Sequence, residues 1–156
     1  MRISDTAKIL VNGNIADVFP LFGAFEERKW AKGWNPTLVY PSTESIQHGT
    51  TFITPATNSL EVEFLWRVSK FDPQICLIQY TVLTDNRYWT ITIVCTSISK
   101  QQTEAEITYS YTGFNDLGNQ LNKNALEKMY QNRLKDWEED INKYLASVEQ
   151  AHFTRN

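Results

Sequence analysis

The feature that most constrains the fold is an amphipathic pattern near the C-terminus, from Asn122 to about Glu149. Apolar residues recur there at steps of three and four, which is the 3.6-residue period of an α-helix. They are Leu126, Tyr130, Leu134, Trp137, Ile141, Tyr144 and Val148. Polar residues on the opposite side include Lys128, Lys135, Glu139 and Asn142. The pattern predicts one long helix whose apolar face lies against another apolar surface.

That surface is predicted to be an antiparallel sheet, because apolar and polar residues alternate with a period of two through most of the preceding chain. A first strand covers Thr6 to Asn12, and the other strands lie between Thr37 and Thr112. Short turn signals such as Asp72-Pro73 and Asp85-Asn86-Arg87 separate them. Strands connected in this way form a meander with one apolar face, which the C-terminal helix is long enough to cover.

Two short helices are predicted between the first strand and the rest of the sheet. The first runs from Ile15 to Phe22, where Asn14 can act as N-cap and Pro20 keeps the helix short or bent. The second runs from Ala24 to Ala31, and Gly33 stands where a left-handed C-terminal cap is needed.

The bulk composition predicts a single soluble domain over 1–150, followed by a frayed tail at 151–156. The net charge of −3, with no basic cluster, argues against a nucleic-acid surface. The first residues lack the apolar run of a signal peptide, and no stretch approaches the ~20 apolar residues of a membrane span. We therefore expect a cytoplasmic protein with no membrane span.

Cys76 and Cys95 are the only cysteines, and both are predicted to lie inside strands as buried free thiols. They share a face of adjacent strands, so the register of the hairpin decides whether they meet. With His48 and His152 they show no recognisable spacing of zinc ligands. No metal and no other cofactor is predicted.

Three stretches resemble bacterial members of the START-like superfamily, also called SRPBCC, of the polyketide cyclase/dehydrase type. They are 26–36 with the following Val39-Tyr40-Pro41, then 108–112, then 137–145. The order of elements is similar over almost the whole chain. The resemblance implies the α+β helix-grip fold, in which a curved antiparallel sheet of about six to seven strands wraps around one long C-terminal helix, with two short helices after the first strand.

The resemblance also implies a cavity between sheet and helix that opens toward the two short helices. START-like proteins bind hydrophobic or amphipathic small molecules in this cavity. Some of them catalyse cyclisation or hydrolysis, and many have no known activity. No catalytic motif of the superfamily can be matched to residues of this chain.

Ten residues are predicted to line the cavity or its rim: Trp30, Trp34, Phe64, Trp66, Tyr80, Trp89, Tyr109, Tyr111, Met129 and Arg133. A buried tyrosine hydroxyl without a partner costs ~1–3 kcal/mol, so three inward tyrosines favour a cavity that holds water or a ligand. The alternative is that the bulky rings fill the interior and leave a solid core.

Several of these side chains have a second interpretation. Arg133 can form a bidentate pair with a ligand carboxylate, or pair with Asp136 as an ordinary surface contact. Trp30 and Trp34 can form the rim of the cavity, or fix the short helices to the sheet. Other charged residues are predicted to be solvated: Glu26, Glu27 and Arg28 on a helix, and Glu61, Glu63, Glu104 and Glu106 on strand faces.

Three functions follow from these observations. The first is a carrier or sensor that binds a small hydrophobic or amphipathic molecule. The second is a polyketide cyclase/dehydrase-like enzyme in which tyrosine hydroxyls or Arg133 polarise a carbonyl, which predicts convergent polar groups and a strongly perturbed pKa. The third is a protein-interaction module that uses an exposed sheet edge or the rim formed by Trp30 and Trp34. It predicts a contiguous apolar surface patch and oligomers or complexes in solution, of which a homodimer is one expected form. Because no nucleophile stands beside a base, binding is favoured over catalysis.

Overall fold

The computed structural model describes residues 1–154, with side chains as far as Ala151. Strand β1 (Arg2–Val11) leads into helix α1 (Ile15–Val18) and two 3₁₀ turns (Phe19–Phe22 and Glu26–Lys29). The next strands are β2 (Thr37–Tyr40), β3 (Thr51–Pro55), β4 (Glu63–Asp72), β5 (Leu77–Leu83), β6 (Arg87–Ser99) and β7 (Gln102–Gly113). Helices α2 (Asp116–Tyr130) and α3 (Lys135–Thr154) follow.

The strands form one antiparallel sheet of seven strands in the order β1-β7-β6-β5-β4-β3-β2. The predicted alternation holds through its centre, where Trp89, Ile91, Ile93 and Cys95 of β6 are all buried. The helices pack on one side of the sheet, α2 against β7, β1 and β6, and α3 against β1. These observations confirm the α+β fold and the number of strands.

The C-terminal helical region differs from the prediction in being interrupted between Tyr130 and Lys135. Arg133 and Leu134 have φ angles of 55° and 61°, in the left-handed region that residues other than glycine rarely adopt. Leu134 is nevertheless fully buried, so the apolar period continues through the interruption. The helices on its two sides contact different sets of strands. Residues 151–154 continue α3, and 155–156 lie outside the described part of the chain, so the frayed tail stays a prediction.

Helix α2 begins earlier than predicted, because Asn115 is its N-cap and accepts a hydrogen bond from the Gly118 N–H at 2.8 Å. Gly118 rests on the turn between β5 and β6. A Cβ at this position would lie 2.0 Å from the carbonyl oxygen of Asn86, so a side chain here would displace the helix. This contact places the start of α2 beside the turn that carries Arg87.

The free edge of β1 is covered by polar side chains of α3. Glu138 accepts a hydrogen bond from the Leu10 N–H at 2.7 Å, and Asn142 accepts one from the Asn12 N–H at 2.7 Å. The Asn142 side-chain amide also donates to the Leu10 carbonyl oxygen. Side chains thus replace the missing strand on this edge, which limits pairing with another chain.

Two predicted strand positions are wrong. Cys76 lies in the turn before β5 with a φ of 54°, not inside a strand. Both cysteines are free, and the Cys95 N–H donates to the Cys76 carbonyl oxygen at 3.0 Å. Alternation predicts an inward Val62, but this residue is 89% exposed, because β4 begins only at Glu63 and the alternation does not extend into the preceding loop.

Candidate ligand-binding cavity

The interior contains a cavity of about 610 Å³ between the inner face of the sheet and helix α2, here called the outer cavity. Seven of the ten predicted residues line it: Trp34, Phe64, Trp66, Trp89, Tyr109, Tyr111 and Met129. Its exposed lining residues mark the mouth: Gly33, Asn35, Pro55, Thr57, Lys128 and Asp136. The mouth therefore lies between the loop after the second 3₁₀ turn, the end of β3, and α2 with the start of α3.

A second space of about 200 Å³, here called the inner cavity, adjoins the first. The two share five lining residues: Trp34, Trp66, Ile91, Tyr109 and Trp137. Trp30 and Tyr80, also predicted as site residues, line the inner cavity. No lining residue of the inner cavity is fully exposed. The aromatic side chains therefore leave an open space and do not fill the interior.

The aromatic walls hold one another in place through ring contacts. Trp34 meets Trp66 edge-on at 5.3 Å between ring centroids, and Trp66 stacks on Phe52 at 5.3 Å. On the helix side, Trp137 packs against Trp30 at 5.6 Å. Each such pair adds about 0.5–1.5 kcal/mol beyond its buried area, so the walls are supported independently of any ligand.

Trp30 and Trp34 line the cavities and also act as anchors: their ring contacts with Trp137 and Trp66 connect the short helical segment to α3 and β4, and their indole N–H groups hold the segment itself together. The Trp30 indole N–H donates to the Leu21 carbonyl oxygen at 2.7 Å, and the Trp34 indole N–H donates to the Ala24 carbonyl oxygen at 2.6 Å. Of the two interpretations of these residues, the structural anchor is therefore present, and it coincides with a position on the cavity wall.

The three inward tyrosines differ in their hydroxyls. Tyr80 donates to the Phe22 carbonyl oxygen at 2.7 Å and is satisfied within the protein. The hydroxyls of Tyr109 and Tyr111 have no hydrogen-bond partner among the residues that the structure describes. Burial raises the pKa of both phenols, which keeps them neutral. They are polar groups on a cavity wall that are free to meet a ligand or water.

Arg87, which the sequence predicts only as a turn residue, lies on the wall of the outer cavity. Its side chain is 3% exposed, and its guanidinium stands 4.6 Å from the Trp89 ring centroid. It pairs with the carboxylate of Glu61, which is itself 4% exposed, through an Nη2–Oε1 distance of 2.7 Å. Nη1 also donates to Asn122 Oδ1 at 3.4 Å.

The prediction that Glu61 is solvated is therefore wrong. Asn58 folds the loop, because its side-chain oxygen accepts hydrogen bonds from the N–H groups of Leu60 and Glu61, and its amide donates to the Glu61 carboxylate. Burial alone would raise the pKa of Glu61, but hydrogen bonds from Arg87, Thr84 and Asn58 outweigh it and lower that pKa. The pair is a buried, ionised support for the wall.

Glu27 lines the inner cavity, and the prediction that it is solvated is also wrong. Its side chain is only partly exposed, and no hydrogen bond or ion pair holds its carboxyl group among the described residues. Burial raises its pKa to about 8. Its neighbour Glu26, in contrast, forms an ion pair with Lys29 at the surface.

Arg133 lines neither cavity, so the predicted contact with a ligand carboxylate is not formed by this arrangement. The side chain is 60% exposed, donates to the Thr6 carbonyl oxygen and lies 3.9 Å from Asp5. The alternative partner Asp136 lies instead at the cavity mouth. The left-handed backbone at Arg133 directs its side chain to β1 and away from the cavity.

A groove of about 430 Å³ lies on the outer surface between β4 and the turn after β5. Exposed apolar residues line it: Leu60, Val62, Leu65 and Leu83. It is the kind of patch that the interaction-module hypothesis requires, although it lies away from the Trp30–Trp34 rim. The homodimer stays a prediction.

Comparison with known proteins finds the same architecture in solved structures. Norcoclaurine synthase from Thalictrum flavum, in complex with dopamine and hydroxybenzaldehyde, aligns over 94% of this chain and 88% of its own, with a TM-score of 0.68 and 11% identity. Ara h 8.0201 aligns over 94% of this chain and 99% of its own, with a TM-score of 0.65 and 13% identity. A protein from Thermus thermophilus aligns over 94% and 99%, with a TM-score of 0.66 and 12% identity.

The chain has the helix-grip fold of the START-like superfamily. At these identities the likeness concerns the fold alone. Protein-family models give no match, and neither do curated proteins. No helix within residues 1–154 has the length and hydropathy to cross a membrane. The same residues contain no group of three or more His, Cys, Asp or Glu side chains placed to hold a metal ion.

Proposed function

We propose that this START-like chain binds a small hydrophobic or amphipathic molecule in the two adjoining cavities, as a carrier or sensor. The observation that carries the proposal is an open interior space of about 610 Å³ and about 200 Å³ with aromatic walls. Ligand cavities of ≈ 300–1,000 Å³ with apolar walls and few polar groups are typical of small-molecule sites. The free hydroxyls of Tyr109 and Tyr111 supply polar groups that can orient such a ligand.

A polyketide cyclase/dehydrase-like enzyme is the second candidate, and Glu27 is the observation that favours it. A carboxyl group with a pKa of about 8 can take or give a proton near neutral pH. It shares the inner cavity with Tyr109. The name of norcoclaurine synthase indicates that a protein with this fold can be an enzyme.

The test is native mass spectrometry of the protein purified from cells, and again after incubation with oleate and with emodin, an aromatic polyketide. Ala125 lines the outer cavity from α2, so Ala125→Trp places a large ring inside it. Lys123→Trp puts the same ring on the exposed face of the same helix and is the matched control. We expect an additional mass in the native spectra of wild type and Lys123→Trp that Ala125→Trp lacks.

Two results would contradict the binding proposal. One is a bare mass for wild type in every sample, including those with oleate and emodin. The other is an equal bound mass in Ala125→Trp, provided that circular dichroism shows this variant to be folded. A released compound whose mass differs from that of the compound added, and that Glu27→Gln does not form, would favour the enzyme.

A further inference from the structure

We propose that the inner cavity is a cation subsite, in which Glu27 and the surrounding aromatic side chains bind the ammonium group of an amphipathic ligand. This inference rests on the proposed function and names the class of ligand. Six of the ten residues that line the inner cavity are aromatic: Trp30, Trp34, Trp66, Tyr80, Tyr109 and Trp137. Aromatic cages with a nearby carboxylate are suited to quaternary ammonium groups, because the ring faces attract a cation.

The charges on the cavity walls support a cation in this position. Arg87 is already neutralised by Glu61, with 2.7 Å between Nη2 and Oε1. Lys128 and Asp136 are exposed at the mouth, where water screens them. Glu27 is the one ionisable carboxyl on the inner wall, and no described residue pairs with it. A buried carboxylate without a partner is unfavourable, so a ligand cation provides the missing counter-charge.

The outer cavity then receives the apolar part of the same ligand. Its wall contains the rings of Phe64, Trp89 and Tyr111, together with the flexible side chain of Met129. Because the two cavities share five lining residues, one molecule can occupy both. An anionic head group is disfavoured in the inner cavity, since it would face Glu27 without a basic residue on that wall.

Occupation of this subsite is expected to depend on pH. Burial raises the pKa of Glu27 to about 8, and the titratable groups that face it are the phenols of Tyr80 and Tyr109, which burial keeps neutral. At pH 8 about half of the Glu27 carboxyl is ionised and at pH 7 about one-tenth, so binding of a fixed cation should strengthen about fivefold between pH 7 and pH 8.

The experiment is isothermal titration calorimetry with two probes of nearly equal shape. Benzyltrimethylammonium carries a charge that does not titrate, and neopentylbenzene has a carbon in place of the nitrogen. We expect Glu27→Gln to lower the affinity for benzyltrimethylammonium about tenfold at pH 8, a change of ~1.4 kcal/mol in binding free energy. The affinity for neopentylbenzene should not change. Glu26→Gln removes the same charge one residue away, outside both cavities, and should leave both affinities unchanged.

The outcomes separate the subsite from the proposed function. If neopentylbenzene binds wild type but not Ala125→Trp, and benzyltrimethylammonium binds wild type and Glu27→Gln equally at every pH, the cation subsite is wrong and the binding function stands. If neither probe binds wild type, the cation subsite is wrong, and the binding function is then decided by the native mass spectra with oleate and emodin. Thermal unfolding of Glu27→Gln at pH 8 at a temperature equal to or above that of wild type shows that a lost affinity is not a lost fold.

Discussion

The buried pair of Arg87 and Glu61 is the residue-scale feature on which the outer cavity wall depends. The guanidinium lies 4.6 Å from the ring centroid of Trp89 and 5.6 Å from that of Phe64, both of which line the cavity. A buried ion pair stabilises the folded state little more than two apolar residues would. Removing one partner, however, leaves the other charge buried without a counter-charge. The pair thus holds the wall in one arrangement.

Glu61→Gln should lower the free energy of unfolding by about 3 kcal/mol, because Arg87 then stays buried without a counter-charge. Glu63→Gln is the matched control, since Glu63 is exposed two residues further along the chain. Urea unfolding at pH 7 measures both. A loss of less than about 1 kcal/mol for Glu61→Gln would show that the pair is solvated and weak.

Glu27 makes the second residue-scale prediction, which concerns stability and pH. Its pKa rises from an ordinary 4.5 to about 8 on folding, so the folded state binds the proton more tightly than the unfolded chain. Stability from this group is fully present below pH 4.5, falls as the pH rises toward 8, and is constant above that. For a fully buried group the free energy of unfolding would fall by at most ~1.4 kcal/mol per pH unit in this range. The loss is smaller here because the Glu27 side chain is partly exposed.

Urea unfolding of wild type, Glu27→Gln and Glu26→Gln at pH values from 5 to 9 measures this effect. Relative to Glu27→Gln, wild type should become steadily less stable up to about pH 8, and Glu26→Gln should follow wild type. Parallel curves for wild type and Glu27→Gln would mean that the Glu27 carboxyl is solvated in the folded state.

At the scale of elements, the interruption between α2 and α3 has no signal in the sequence. Residues 131–134 contain neither glycine nor proline, and Leu134 continues the apolar period. The reason for the interruption is tertiary. Helix α3 satisfies the free edge of β1 through Glu138 and Asn142, whereas α2 packs mainly on β7.

The interruption can be tested by asking which of two variants at Arg133 is the more stable. Arg133→Gly and Arg133→Ala both remove the contacts with Asp5 and Thr6, so they differ only in backbone preference. At a φ of 55° the glycine variant should be more stable than the alanine variant by about 1 kcal/mol. In an unbroken helix the order is reversed by about the same amount. Thermal or urea unfolding distinguishes the two, and a more stable alanine variant would rule out the interruption.

At the scale of the whole molecule, most of the fold can be predicted from the periodic spacing of apolar and polar residues. Alternation identified the aromatic wall, including Trp89, Tyr109 and Tyr111, because a strand in a sheet with one buried face fixes which side chains point inward. The left-handed Gly33 was also predicted, and its φ is 82°. The inward-facing strand residues and the left-handed glycine depend on neighbouring residues in the sequence, so both can be predicted from it.

The two charged groups on the cavity walls were missed for the same physical reason. Arg87 stands at a turn and Glu27 in a run of charged residues, where the default expectation is solvent. Their burial depends on long-range neighbours: Glu61 and Asn122 for Arg87, and Tyr80, Tyr109 and Trp137 for Glu27. The inward-facing tyrosines were the only hint that polar groups converge on this interior.

Ligand binding in the interior requires that an apolar molecule can enter the space between the sheet and α2. The most direct measurement is a crystal soaked with iodobenzene and examined for anomalous scattering from iodine. We predict an iodine peak inside the outer cavity, within contact distance of Trp34, Tyr109 and Met129. A structure in which those side chains close the space, with no iodine peak inside it, would contradict ligand binding in this cavity.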